Sequence, residues 1–215
     1  MANTNKPRGF LPIGTLAGAT VSGGTRMYAI PTSDTSNSYA IGDCVMSAAS
    51  SDANGVPFIQ KWGGVATTSA LPLGIIVGIQ VADPTPSLVG NTLSLEQTYI
   101  LAGTRTAVRY VYVDDNPMCV FTAQFDSTAI VVADLHKNAA VTVSASVAQT
   151  PSSPLSTMVL TGPATTATLP IRLMGAVQDS TNQVGAYVRV LCKWNYHEYG
   201  VTPGASGTVV SYLAP

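Results

Sequence analysis

Charge is what this sequence has least of. Charged residues fill 10% of its 215 positions, against roughly 25% in ordinary soluble domains, and the formal net charge is -1. A free monomer so poor in charge has little colloidal protection. The composition therefore points to a subunit whose surface is largely given over to neighbours; the alternative is a β protein coated with Ser, Thr and Gly. No basic stripe accumulates, so a general electrostatic footprint for nucleic acid is absent. Cysteine is sparse too. Cys44, Cys119 and Cys192 are odd in number, far apart and each set in an apolar run. They read as buried free thiols rather than a disulfide framework, which fits a reducing site of synthesis.

Long apolar runs are also missing. The most apolar window, Leu71 to Ala82, is broken by Pro72, Gly74 and Gly78 and is too short to span a bilayer. Lys6 and Arg8 before Phe10-Leu11-Pro12-Ile13 mimic a signal peptide, but Pro12, Gly14 and Gly18 interrupt the apolar part and no cleavage pattern follows. The expectation is a chain without a membrane segment. Helical periodicity is equally hard to find, apart from one turn expected around Leu155 to Leu160 in the Ser/Thr/Pro-rich stretch from Gln149 to Ala167.

Motifs for chemistry are few. The two histidines, His136 and His197, have no acidic or cysteine neighbours at metal-ligand spacing. No nucleophile elbow or phosphate loop occurs. Adjacent Asp114 and Asp115 point to opposite faces of an extended strand and could not flank one substrate bond; turn chemistry explains them better. The expectation is a non-enzyme with no catalytic residue, cofactor or metal.

What is present is alternation. The chain is organised around Arg105 to Phe125, two runs of β-branched and aromatic residues flanking Asp114-Asp115-Asn116-Pro117, which predicts a central hairpin. Period two sets Val108, Tyr110 and Tyr112 against Arg109, Val111 and Val113, with both faces expected to be covered. A second hairpin pairs Thr168 to Val177 with Ala186 to Trp194. On its return, Val188, Val190, Cys192 and Trp194 should face the core, and Tyr187, Arg189, Leu191 and Lys193 should be partly wet. Further strands are expected at 26–31, 39–46, 56–62, 73–81, 98–101 and 140–147, and Asn54-Gly55 signals a hairpin turn. The fold class is all-β, a β-sandwich or β-barrel (jelly-roll-like) body with extended arms. The divisions are an N-terminal arm at 1–25, a β-rich body at 26–195, as one unit or two β subdomains, and a C-terminal arm at 196–215.

Several stretches together resemble the capsid decoration (cement) proteins of tailed bacteriophages. They are Asn5 to Leu16 (NKPRGFLPIGTL), Ile41 to Val45 (IGDCV), Leu73 to Gly78 (LGIIVG), Arg109 to Pro117 (RYVYVDDNP), Ala167 to Gly175 (ATLPIRLMG) and Asn182 to Ala186 (NQVGA). The loops Ser47 to Ala70 and Gln149 to Thr166 depart most from that pattern. None of these motifs is catalytic. The resemblance implies a virion protein on the outer capsid surface, made in the host bacterial cytoplasm. Its partners would be the major capsid protein and itself, as a dimer or trimer at a capsid symmetry axis, with no membrane or direct nucleic-acid partner. Arms could add strands to a neighbour's sheet edge, with Lys6, Arg8, Phe10, Tyr199 and Tyr212 as expected contacts. On that view, deleting residues 1–20 leaves a folded body that no longer stays on particles. The alternatives are a neck or tail component, or a glycan- or host-surface-binding module using Trp194, Tyr196 and Tyr199 as a stacking platform.

Overall fold

A computed structural model describes residues 3–20, 24–64, 70–80, 99–105, 107–144, 155–203 and 209–211. The fold is all-β, with a single 3-10 turn, Val132–Asp134, among the described residues. That turn lies where a short apolar run at 129–133 could have been another strand, and it leaves Val131 and Val132 exposed. No described helix is long and apolar enough to cross a membrane.

Two sheets carry the architecture. Strands β1 (Leu11–Thr15), β2 (Thr25–Ile30), β3 (Tyr39–Ala40), β4 (Cys44–Ser51), β5 (Pro57–Lys61), β6 (Gly74–Ile79), β7 (Tyr99–Ile100) and β8 (Arg109–Asp114) come first. Next are β9 (Cys119–Gln124), β10 (Asn138–Val143), β11 (Met158–Ala164), β12 (Ile171–Ala176), β13 (Arg189–Trp194), β14 (Val201–Pro203) and β15 (Val209–Ser211). A closed barrel runs β2-β5-β4-β6-β8, and a six-stranded sheet runs β1-β9-β13-β12-β10-β11. The barrel closes through a parallel contact, Ala29 opposite Phe58. The sheet rolls as well, since Phe125 just beyond β9 bridges to Leu160 on β11. Pairs β3-β7 and β14-β15 complete the described strands.

Each unit has its own apolar centre, because alternation turns one side of every strand inward. Ile30, Val45, Ile59, Ile76, Val111 and Val113 fill the barrel. Phe121, Phe125, Val141, Leu160, Leu173, Val190 and Cys192 fill the sheet's concave side, and Cys44, Trp62 and Ile75 join them from the barrel. The two units therefore share packing at one end. All three cysteines are buried and unpaired, and burial pushes their thiols well above the ordinary range.

The expected central hairpin does not form. β8 pairs with β2 and β6 inside the barrel, while β9 pairs with β1 and β13 in the sheet. The turn residues do make a turn: the Asp114 carboxylate accepts from the Asn116 N–H at 3.2 Å, and the Asn116 side chain accepts from the Met118 N–H at 2.9 Å. That turn passes the chain from one unit to the other. Asp114 and Asp115 are consequently buried at the junction. Gly74 permits the close approach there, since a Cβ at that position would collide with the Asp114 carbonyl oxygen. Only the Val111/Val113 side of β8 is fully covered; Tyr112 is exposed and lies opposite exposed Met27 on β2.

The second hairpin forms as expected, β12 against β13. Val188, Val190, Cys192 and Trp194 are buried, and Tyr187, Arg189, Leu191 and Lys193 are partly or fully exposed. β4 and β5 pair around the Asn54-Gly55 turn. The strand expected across 39–46, with a bulge or turn at Gly42-Asp43, is split into β3 and β4 by a turn at 41–42. One expectation is corrected. The helical turn expected around Leu155 to Leu160 is instead the start of β11, whose Val159 and Leu160 gain a ladder against β10.

Candidate interaction surface

The N-terminal segment is a strap on its own body rather than a free arm. Asn3 Nδ2 donates to the Gln183 and Ala186 carbonyls at 2.6 and 2.8 Å, and Asn3 Oδ1 accepts from the Gln183 N–H at 2.9 Å. The Lys6 N–H donates to Gln124 Oε1 at 3.1 Å, and Gln124 Nε2 donates to Asn5 Oδ1 at 3.0 Å. Gly9, at φ +69, sits where a Cβ would collide with the Gly42 carbonyl oxygen and the Ser156 side chain. The next residues continue into β1 at the edge of the sheet, so the region 1–25 drawn as an arm contributes a strand to the body.

The strap turns some side chains in and others out. Pro7 and Gly9 are buried while Lys6 and Arg8 are exposed on the other side. Phe10 is fully buried, which corrects its assignment as a contact for a partner. Its ring meets Phe121 edge-on at 5.4 Å; Phe121 lies 4.8 Å from Trp194, and Trp194 lies 6.4 Å from Trp62. An apolar ring at the junction is stabilised more by this aromatic row than by waiting in water.

Beneath the strap lies a buried ion pair. Asp43 accepts from Ser156 Oγ at 2.6 Å and from the Ala40 N–H at 2.9 Å, and Lys61 Nζ is 3.0 Å from its other side. Lys61 also donates to the Ser38 carbonyl at 2.9 Å. This cluster ties β5, the β3–β4 turn and the approach to β11 together. Its serine donates to Asp43 and accepts from the Met158 N–H at 3.2 Å.

The C-terminal contacts are similarly internal. Trp194 and Tyr196 are buried, so the stacking platform drawn from them is not on the surface. Tyr196 donates its hydroxyl to the Ala167 carbonyl. Tyr199 is half exposed, but its hydroxyl lies 3.3 Å from that of Tyr28, and the Arg26 guanidinium lies over its ring at 5.7 Å. Tyr28 in turn donates to Asp115 at 2.7 Å, and burial pushes its phenol well above the usual range. Tyr212 lies outside the described residues. No group of three His, Cys, Asp or Glu among the described residues could hold a metal.

His197 is buried beside Trp194, with ring centroids 5.8 Å apart, and accepts the Tyr199 N–H at Nδ1. Burial pushes its pKa down from 6.5 to about 4, because a desolvated imidazolium is disfavoured. The unfolded chain therefore binds a proton that the folded chain refuses between those values. Its effect on stability is absent above pH 6.5, grows as the pH falls through this window, and levels off near pH 4. The expected loss is roughly 3 kcal/mol. Asp114 and Glu198, whose carboxyls burial pushes up, offset part of it at the acid end. Urea titrations at successive pH values should show the slope, and His197→Asn should flatten it; an unchanged slope would remove His197 from the account.

Two surface features remain. Along β1, Leu11 and Ile13 are exposed, Ile13 by 52%, and the strip continues through Leu16 to Met118, whose carbonyl accepts the Leu16 N–H at 3.0 Å. Beside it opens a groove of about 340 Å³ bordered by Lys6 and Arg8 from the strap and Arg189 from β13. The cations of the strap were visible in the sequence; their meeting with Arg189, some 180 positions away, was not. Compared with known family models, curated proteins and solved structures, the chain matches none.

Proposed function

We propose that this chain is a structural component of a virus particle, a capsid decoration protein that docks on the outer surface of the head and bridges joints between subunits of the major capsid protein. The observation that carries the reading is the exposed apolar strip Leu11, Ile13, Leu16 and Met118 on a chain with 10% charged residues. Apolar side chains gathered on a surface mark a protein–protein contact, and the resemblance at residues 5–16 covers Leu11, Ile13 and Leu16 of the strip. Docking is by side chains. β1 offers a poor edge for strand addition, since Pro12 has no N–H and the register shifts between Pro12 and Gly14. Repetition over a symmetric shell turns modest contacts into high occupancy, and self-association at a symmetry axis fits the same role.

The test is co-sedimentation of the purified chain with heads that lack it. Wild type should pellet in a fixed ratio to the capsid subunit. Ile13→Asp, at an exposed site, should fold normally and lose at least about tenfold in affinity, as for a contact worth 1.4 kcal/mol or more. A wild-type chain that stays in the supernatant contradicts the reading.

A further inference from the structure

We infer that the groove between the strap and β13 is a docking site for an acidic, carboxylate-bearing peptide segment of the protein this chain sits on. The inference rests on the reading above and assigns the chemistry of the contact.

Charge complementarity comes first. The whole sequence has ten Lys and Arg residues, yet Lys6, Arg8 and Arg189 border this one groove and, among the described residues, no Asp or Glu lines it. Arg189 is partly neutralised by Asp179 at 2.7 Å. Lys6 and Arg8 are exposed, and both line the groove. Such a groove favours anions and repels cations, most strongly at low salt.

The remaining lining narrows the ligand. Of the polar side chains that could grip a neutral polyol, the three amides are already occupied. Asn3 and Gln124 are spent on the strap. Asn182 donates to the Val177 and Arg189 carbonyls and accepts from the Arg189 N–H. These bonds make the walls, so what the groove offers a ligand is chiefly positive charge. A carboxylate uses that fully, and guanidinium groups can take it in paired, charge-assisted hydrogen bonds. Leu11 lines the same groove and leads to Ile13 and Leu16. The best occupant is therefore a segment with acidic residues followed by apolar ones.

The seat is also preorganised. Tyr187, which lines the groove, has φ +59, a left-handed backbone that a bulky side chain rarely adopts. It is held by its N–H donating to the Asp126 carbonyl at 3.0 Å. Strain of this kind persists where surrounding contacts fix it, and it clusters at binding sites. The strap's hydrogen bonds at Asn3, Asn5 and the Lys6 N–H likewise hold its backbone against the groove before any ligand arrives, which lowers the ordering cost of binding.

The test uses the full chain and a labelled synthetic peptide carrying consecutive Glu and Asp residues followed by two Leu, with a Gln/Asn version as its neutral counterpart. Fluorescence anisotropy should show saturable binding of the acidic peptide, weakening as salt is raised, and at least about tenfold weaker binding of the neutral one. Lys6→Gln with Arg8→Gln should reduce acidic-peptide affinity at least about tenfold at an unchanged melting temperature. Equal binding of both peptides, no binding, or binding of a uronic-acid oligosaccharide in place of the peptide overturns the proposal. Because no particle is involved, these outcomes are independent of whether the chain sediments with heads.

Discussion

Phe10→Ala should destabilise the fold by about 3–5 kcal/mol, the usual cost of removing a fully buried ring, and lower the melting temperature by about 10 °C for a chain of this size. Residues 1–25 read as an arm because Asn, Thr, Gly and Pro interrupt any period, yet Phe10 is fully buried and touches Phe121. It stands at the head of an aromatic row that reaches Trp62 through Trp194. Removing it opens a cavity where the strap, the barrel and the sheet meet. The same geometry revises what truncation should do. Deleting residues 1–20 removes Phe10, β1 and the Asn3 contacts together, so the expected product is a destabilised body, not a folded one that merely lets go of particles. Thermal melts of both variants decide the point. A truncated chain melting within a few degrees of wild type would make the segment an arm after all.

Asp43→Asn should be as damaging, by about 3–5 kcal/mol, since breaking a buried pair strands its partner. Lys61 is nearly buried, its side chain 15% exposed, with Asp43 as its salt-bridge partner; an asparagine would leave that ammonium without a counter-charge. It would also weaken the acceptor for Ser156 Oγ and the Ala40 N–H, loosening the floor on which Gly9 rests. The companion variant Asp43→Asn with Lys61→Met removes both charges, and it should recover a large part of the loss because the cost lies in the stranded ion. Urea unfolding of the wild type, the single and the double variant measures this directly. If the double variant is no more stable than the single, the ion pair is not the source of the effect.

These residues also show what was legible in the sequence. The alternation of β13 was readable because one face of its sheet packs into the apolar core and the other is partly wet, which writes period two into Val188 to Trp194. The β8–β9 pairing was misread for a physical reason. Asp114 to Pro117 encode a reversal of the chain, and a reversal looks the same whether the next strand returns to its neighbour or leaves for another sheet. The difference is carried by distant residues, among them Thr25, Ile75 and Leu11, that pair with the flanking strands. β11 was hidden for a related reason. Gly162 and Pro163 interrupt its pattern, but an edge strand tolerates both, because its outer side carries no ladder. Within the candidate site, Lys6 and Arg8 were singled out in the sequence as charged residues of the N-terminal stretch, and both are exposed. The burial of Phe10 depends on Phe121, and the groove depends on Arg189; neither leaves a local mark.

The N-terminal strap thus does two things at once: its buried side chains fasten the molecule, and its exposed ones present cations beside an apolar strip. The measurement that bears most directly on the proposed role is electron microscopy of purified particles, with the copies of this chain counted against the major capsid subunit. The account predicts density for a two-unit β body repeated over the outside of the head, in fixed stoichiometry, with the β1 strip facing the shell. Particles without the chain, or with only a few copies confined to the neck or tail, would contradict it.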